Sequence, residues 1–290
     1  MNSPLQESLE FQRYFGIDLT FDFITGRDWN ERKVPTTTNI TNAQNTKNTS
    51  KQTSDTNISS LINNRIAHSE NIGTSNKENI ETIENEEKPN FMPSTINLDA
   101  IKTFEELCNA INNFNGCDLK KSGAKNTVIY DGNPEAKIML IGEAPGETED
   151  IRGIPFCGES GQLLRKAIKF INLDENNVLI TNCVFWRPPN NRTPYDEEIK
   201  LCLPFVKKMI EIVRPKIIIL CGSTAMKAIL TTKEKITDLA GKIQECVICD
   251  FNIKTFVLYH PSYLLRSPAK KKDFWQHLLI LEDEIEKITN

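Results

Sequence analysis

Three stretches of this 290-residue chain gather residue types that can do chemistry. The first is Gly142-Glu143-Ala144-Pro145-Gly146-Glu147-Thr148-Glu149-Asp150. The second is Trp186-Arg187-Pro188-Pro189-Asn190-Asn191-Arg192-Thr193-Pro194, and the third is His260-Pro261-Ser262-Tyr263-Leu264-Leu265-Arg266-Ser267-Pro268. Each mixes rigid Pro or Gly with ionisable side chains. Carboxylates such as Glu143 and Glu149 can orient water, and guanidinium groups suit phosphates. Asn182 offers a donor and an acceptor side by side, the format that reads the edge of a planar polar ring. His260 is one of only three histidines in the chain. Taken alone, it reads equally well as a satisfied structural imidazole.

The elements that would position these loops are short apolar runs: KIMLIG (137–142), VLITNCV (178–184), KIIILC (216–221) and TFVLY (255–259). Near-continuous apolar runs belong to strands buried on both faces, as in parallel sheets. Between them lie helical patterns, GQLLRKAIKFI, YDEEIKLCLPFVKKMIEIV and STAMKAIL, and a last helix, KKKDFWQHLLILEDEIEKI, closes the chain. A further helix over 101–113 puts Ile101, Phe104, Leu107, Cys108 and Ile111 on one face. Strand–helix alternation predicts an α/β fold, a three-layer α/β/α sandwich around a central, mainly parallel four-stranded sheet. In such sheets ligands bind at the carboxyl ends of the strands, where all three loops fall.

The formal net charge is -4, which averages over unlike parts. Residues 1–100 carry 9 basic and 14 acidic side chains, whereas 101–290 carry 26 and 25. The acidity therefore belongs to the front third, and a nucleic-acid partner is not excluded. Residues 36–60 contain 17 Asn, Ser or Thr out of 25, and 31–90 hold no aromatic residue. That composition cannot bury enough apolar surface to offset its ordering entropy. The expected organisation is a short helical and aromatic segment over 1–32, a disordered linker over 33–96 and one catalytic domain over 97–290. No apolar run reaches the roughly 18 residues a membrane span needs. The N-terminus lacks the pattern of a secretory signal. Eight scattered Cys, several inside apolar runs, read as reduced thiols of a cytoplasmic protein.

The first stretch continues into Gly153-Ile154-Pro155-Phe156-Cys157-Gly158-Glu159-Ser160-Gly161-Gln162-Leu163-Leu164. The set GEAPGETED-x2-G-x-PF-x-G-x2-GQLL, TN-x4-RPP-x-NRTP and HPSYLLRSP-x-K resembles, in order and spacing over about 101–290, the motif set of the family 4 branch of uracil-DNA glycosylases. The resemblance implies hydrolysis of the N-glycosidic bond of uracil in DNA, as in base excision repair, by a monomer whose partner is uracil-containing DNA. Phe156 would be the platform under the flipped base, and Asn182 its reader. His260 would stabilise charge on uracil O2, and Gly142, Glu143 and Ala144 would line the base. Glu143 is the first choice for handling water, with Glu149 in reserve. Arg187, Arg192, Ser262 and Arg266 would meet DNA phosphates, and Leu264 or Leu265 would fill the gap left by the flipped nucleotide. The motif set contains no catalytic Lys, so no lyase step is expected. The alternative is a catalytically degenerate relative that only binds DNA or an abasic site.

Family 4 members generally carry a four-iron cluster on four Cys. Here two of those positions are Cys117 and Cys202, and the other two are Phe114 and Trp186. The expectation is no metal and no cofactor, with the aromatic pair packed where a cluster would be. A cluster completed by Cys108 or Cys183 is the alternative. Glu159, Ser160, Asn190 and Gly146 also depart from the family pattern. At the front end, the IDLTFDF stretch is loosely similar to short peptides that bind sliding clamps. It would link the chain to a replication or repair partner, unless this segment is a helix packed back on the domain.

Overall fold

The computed structural model describes residues 96–289. The segment expected at 1–32 and the linker expected at 33–96 lie outside this range, Ile96 excepted. The four apolar runs form strands β2 (Ile138–Gly142), β3 (Val178–Asn182), β4 (Ile217–Cys221) and β6 (Phe251–Leu258). Every residue of β2, β3 and β4 is buried, as an apolar run covered on both faces requires. They pair in parallel in the order β3-β2-β4-β6, so their carboxyl ends share one edge. Gly142 lies in register with Asn182 there.

The described sheet has six strands rather than the expected four. Strand β1 (Tyr130–Gly132) pairs antiparallel with β3, and β5 (Ile243–Ile248) pairs antiparallel with β6. Both are edge strands with half-exposed faces, so neither reads as a continuous apolar run. The β5–β6 connection is a two-residue turn in which Cys249 and Asp250 both have positive φ, at 51° and 65°.

Helices cover both faces. One face of the sheet, including Met139, Ile141, Leu179 and Ile218, packs on α1 (Phe104–Asn113), α5 (Asp196–Val213) and α6 (Ser223–Leu230). The other face, including Leu140, Ile180, Ile219 and Phe256, packs on α4 (Glu159–Phe170), α8 (Pro261–Arg266) and α9 (Lys271–Thr289). Shorter helices are α2 (Asp118–Lys121), α3 (Glu147–Arg152) and α7 (Ile236–Leu239). The alternation of neighbouring strand residues between the two clusters is the three-layer sandwich expected from the strand–helix order. Helix α1 begins at Phe104 rather than 101 because Thr103 and Glu106 form a capping box at its start. Among the described residues no helix is long and apolar enough to cross a membrane.

Leu140 is fully buried in the central strand, and its removal leaves a cavity with no neighbour free to fill it. Leu140→Ala should cost about 2–5 kcal/mol in urea unfolding, with the slope of the transition unchanged.

Candidate active site

The loops at the carboxyl edge of the sheet enclose a cavity of about 570 Å3, a volume suited to a small planar ligand. Its floor is set by a close approach. A Cβ on Gly142 would lie 2.4 Å from Asn182 Oδ1 and 2.4 Å from Phe156 Cζ, so only Gly lets the ring and the carboxamide meet over the strand end. Asn182 is buried, is held by strand β3, and makes no side-chain hydrogen bond among the described residues. Its carboxamide is thus uncommitted at the wall of the cavity.

Phe156 has a φ of 51°, in the left-handed region that costs a bulky residue about 1–2 kcal/mol. Its surroundings hold it there. Gly161 on α4 has no Cβ, and one would sit 2.2 Å from the Phe156 carbonyl. Arg165 on α4 donates to the Phe156 carbonyl at 2.9 Å and the Pro155 carbonyl at 2.8 Å. The ring, 5% exposed, faces His260 with centroids 6.0 Å apart.

The carboxylates divide their work. Glu143 follows β2, lines the cavity and accepts from the Thr224 hydroxyl at 2.6 Å through Oε2. Glu149 also borders the cavity, but its two oxygens accept from the backbone N–H of Gly158 at 2.6 Å and of Gly146 at 3.2 Å. It clamps the loop on both sides of α3. Asp150 is buried and accepts from the N–H groups of Lys125 and Asn126. Glu147 is exposed and lies 3.4 Å from Arg187.

His260 caps the amino end of α8, with Pro261 as the first helical residue. The Ser262 backbone N–H donates to His260 Nδ1 at 3.2 Å, and the Ser262 hydroxyl lies 2.7 Å from the same nitrogen. A backbone N–H can only donate, so Nδ1 is an acceptor and the ring proton is on Nε2. Burial first, and the Arg266 charge second, push the imidazole pKa down to about 4. The site therefore presents a neutral N–H donor.

The family model described as the uracil DNA glycosylase superfamily matches residues 129–279, which span every one of these side chains. The chain belongs to this superfamily. A Type-4 uracil-DNA glycosylase of Pyrobaculum aerophilum is 38% identical over 178 residues, covering 60% of this chain and 90% of that one. Type-4 uracil-DNA glycosylases of Saccharolobus solfataricus and Archaeoglobus fulgidus are 41% and 33% identical. These cover 57% and 60% of this chain, and 75% and 89% of their own lengths.

Around this glycosylase cavity the expected DNA-facing residues separate. Arg266 lines the cavity and is exposed. Leu265 is 38% exposed, whereas Leu264 is fully buried in the core beneath α8. Arg192 lines the cavity but is engaged by both oxygens of Glu198, and it stacks 3.8 Å from the Tyr195 ring centre. Arg187 bonds Asn191 at 2.7 Å. Ser262 is committed to His260. Three further residues come from the junction of β4 and α6, where Gly222 and Ser223 line the cavity and Thr224 holds Glu143. Their sequence signal is position alone: they come directly after the apolar run KIIILC, as the other three loops come after theirs. Ala144 lines the cavity beside Glu143.

The four-iron cluster of family 4 does not fit the residues at its four positions. Cys117 and Cys202 are buried, and their thiols lie close enough to influence each other's ionisation. The Cys117 contact first, and burial second, push the Cys202 thiol well up. Phe114 and Trp186, in place of the other two ligands, are 4% and 1% exposed with ring centres 6.2 Å apart. Phe114 packs on Phe205 at 5.0 Å, and Trp186 Nε1 donates to Thr127 at 3.1 Å. Burial pushes Cys183 up to about 12 and Cys108 to about 11.

The depressed imidazole pKa fixes a sign. Stability linked to a neutral His260 is complete above the ordinary value of 6.5 and is lost as pH falls toward about 4. An NMR titration should find His260 unprotonated throughout the range from about pH 5 to 8. A midpoint near 6.5 would refute the neutral, Nε2-protonated assignment.

Proposed function

We propose that this chain is a monofunctional uracil-DNA glycosylase. The observation that carries the reading is the convergence of the Phe156 ring, the free Asn182 carboxamide and the His260 N–H donor on one cavity of about 570 Å3. Flipped uracil stacks on Phe156 and lies over Gly142 and Ala144. Asn182 donates to O4 and accepts from N3–H, a pairing that cytosine mismatches. As the bond from C1′ to N1 breaks, its electron pair leaves with the base and charge gathers on O2. His260 Nε2–H meets that charge without having to lose or gain a proton. Water adds its oxygen to C1′, and the proton it gives up passes by way of the Glu143 carboxylate to the uracil anion, leaving neutral uracil and an abasic sugar. Glu143 orients that water and faces the positive sugar, with Thr224 fixing one carboxylate oxygen. Glu149 clamps the loop through backbone N–H groups that donate to both its oxygens, and it stays in reserve for the water.

The exposed Leu265, rather than Leu264, enters the gap in the base stack, and Arg266 beside it meets phosphate. The enzyme works without an iron–sulfur cluster, because an aromatic core takes up two of its four ligand positions. The eight free thiols support a cytoplasmic location, and the reading takes the enzyme to act on DNA as a monomer.

A single-stranded oligonucleotide with one uracil, treated with the protein and then alkali, should be cut at that position. His260→Ala and Asn182→Ala should each reduce the rate on the order of a hundredfold. An uncut oligonucleotide with the wild-type protein would sink the assignment. Anaerobically purified active protein should contain neither iron nor acid-labile sulfide in stoichiometric amount; about four irons per chain would contradict the aromatic replacement.

A further inference from the structure

The structure assigns Arg165, with Asp131, as the positioning pair that holds the Phe156 platform in its working geometry. The assignment rests on the glycosylase reading, since a platform matters only if a base stacks on it. Two consecutive carbonyls, those of Pro155 and Phe156, both face the Arg165 guanidinium, at 2.8 and 2.9 Å. An extended chain would point neighbouring carbonyls apart. The positive φ at Phe156 turns them to the same side, where one planar fork engages both. The fork is braced from behind, because Arg165 Nη2 also meets Asp131 Oδ2 at 2.5 Å.

Asp131 is the middle residue of β1, which pairs antiparallel with β3, and β3 ends in Asn182. The platform is therefore tied through two side chains to the strand that carries the base reader. No contact of Arg165 reaches the cavity itself, so its effect runs through Phe156. The pair is about one-third exposed, and surface ion pairs of that kind contribute little to global stability. Its contribution lies in aiming the ring.

Kinetics on a uracil oligonucleotide should compare Arg165→Met with wild type, and the same substitution in a Phe156→Ala background. In the wild-type background we expect kcat/KM to fall about tenfold, mainly through KM, because stacking serves ground and transition states alike. With the Phe156 ring gone, the substitution should change kcat/KM by less than about twofold. Arg165→Lys should behave like Arg165→Met, since a single nitrogen on a shorter side chain does not reproduce the separate Nε and Nη2 donors that meet the two carbonyls. Equal losses in both backgrounds, wild-type kinetics for Arg165→Met, or full rescue by Lys would each overturn the assignment. Should Arg165→Met not fold, Asp131→Asn in the same two backgrounds gives the same cycle. An active wild type with an insensitive Arg165 removes the strut alone, whereas an inactive wild type removes the glycosylase reading and the strut with it.

Discussion

The cavity depends on one close contact, an aromatic ring laid against the bare Cα of Gly142 beside the Asn182 carboxamide. Strand pairing supplies half of it, because parallel register brings Gly142 level with Asn182. The other half must be imposed on a loop. Phe156 sits in a backbone conformation it would not choose, and it stays there because helix α4 denies it the alternatives. Gly161 leaves room for its carbonyl, and Arg165 binds that carbonyl. The local cost is met by packing elsewhere, as at other strained functional positions.

A comparable exchange holds the opposite face together. Where a metal cluster would cross-link α5 to the segment before the sheet, the chain substitutes interlocking rings. Phe114, Trp186 and Phe205 join the same elements by apolar burial, with the thiols of Cys117 and Cys202 buried beside them. On the proposed cluster-free reading, such a joint forms without a loading step and fails by loss of packing.

Much of this was legible in the residues. Uninterrupted runs such as IIILC can only be strands buried on both faces, and that places their following loops at a common edge. Gly142, Phe156, Asn182 and His260 all stand out by that placement and by the motifs around them. Other features were hidden for physical reasons. Strand β1 is three residues long and half exposed, so it carries no hydrophobic signature. Strand β5, IQECVI, is broken by two adjacent polar residues and stays mostly unburied, so it gives no continuous apolar run. The loop-clamping bonds of Glu149 were hidden, because a sequence cannot show that the N–H groups of Gly146 and Gly158 donate to its two oxygens. Leu264 and Leu265 are neighbours of identical type, and only the orientation of α8 tells which one meets solvent. Arg165 and Asp131 are 34 residues apart on elements whose pairing no periodicity announces.

Helix α8 has one more consequence. It is six residues long and about 9 Å from end to end, too short to bend and too well anchored by Leu264 to tilt independently. Its first cap is the imidazole, and its last turn carries Leu265 and Arg266. On the proposed reading, the group that meets the leaving base and the groups that face the strand are carried at the two ends of one short helix. Their spacing is then set by helical hydrogen bonds rather than by a loop.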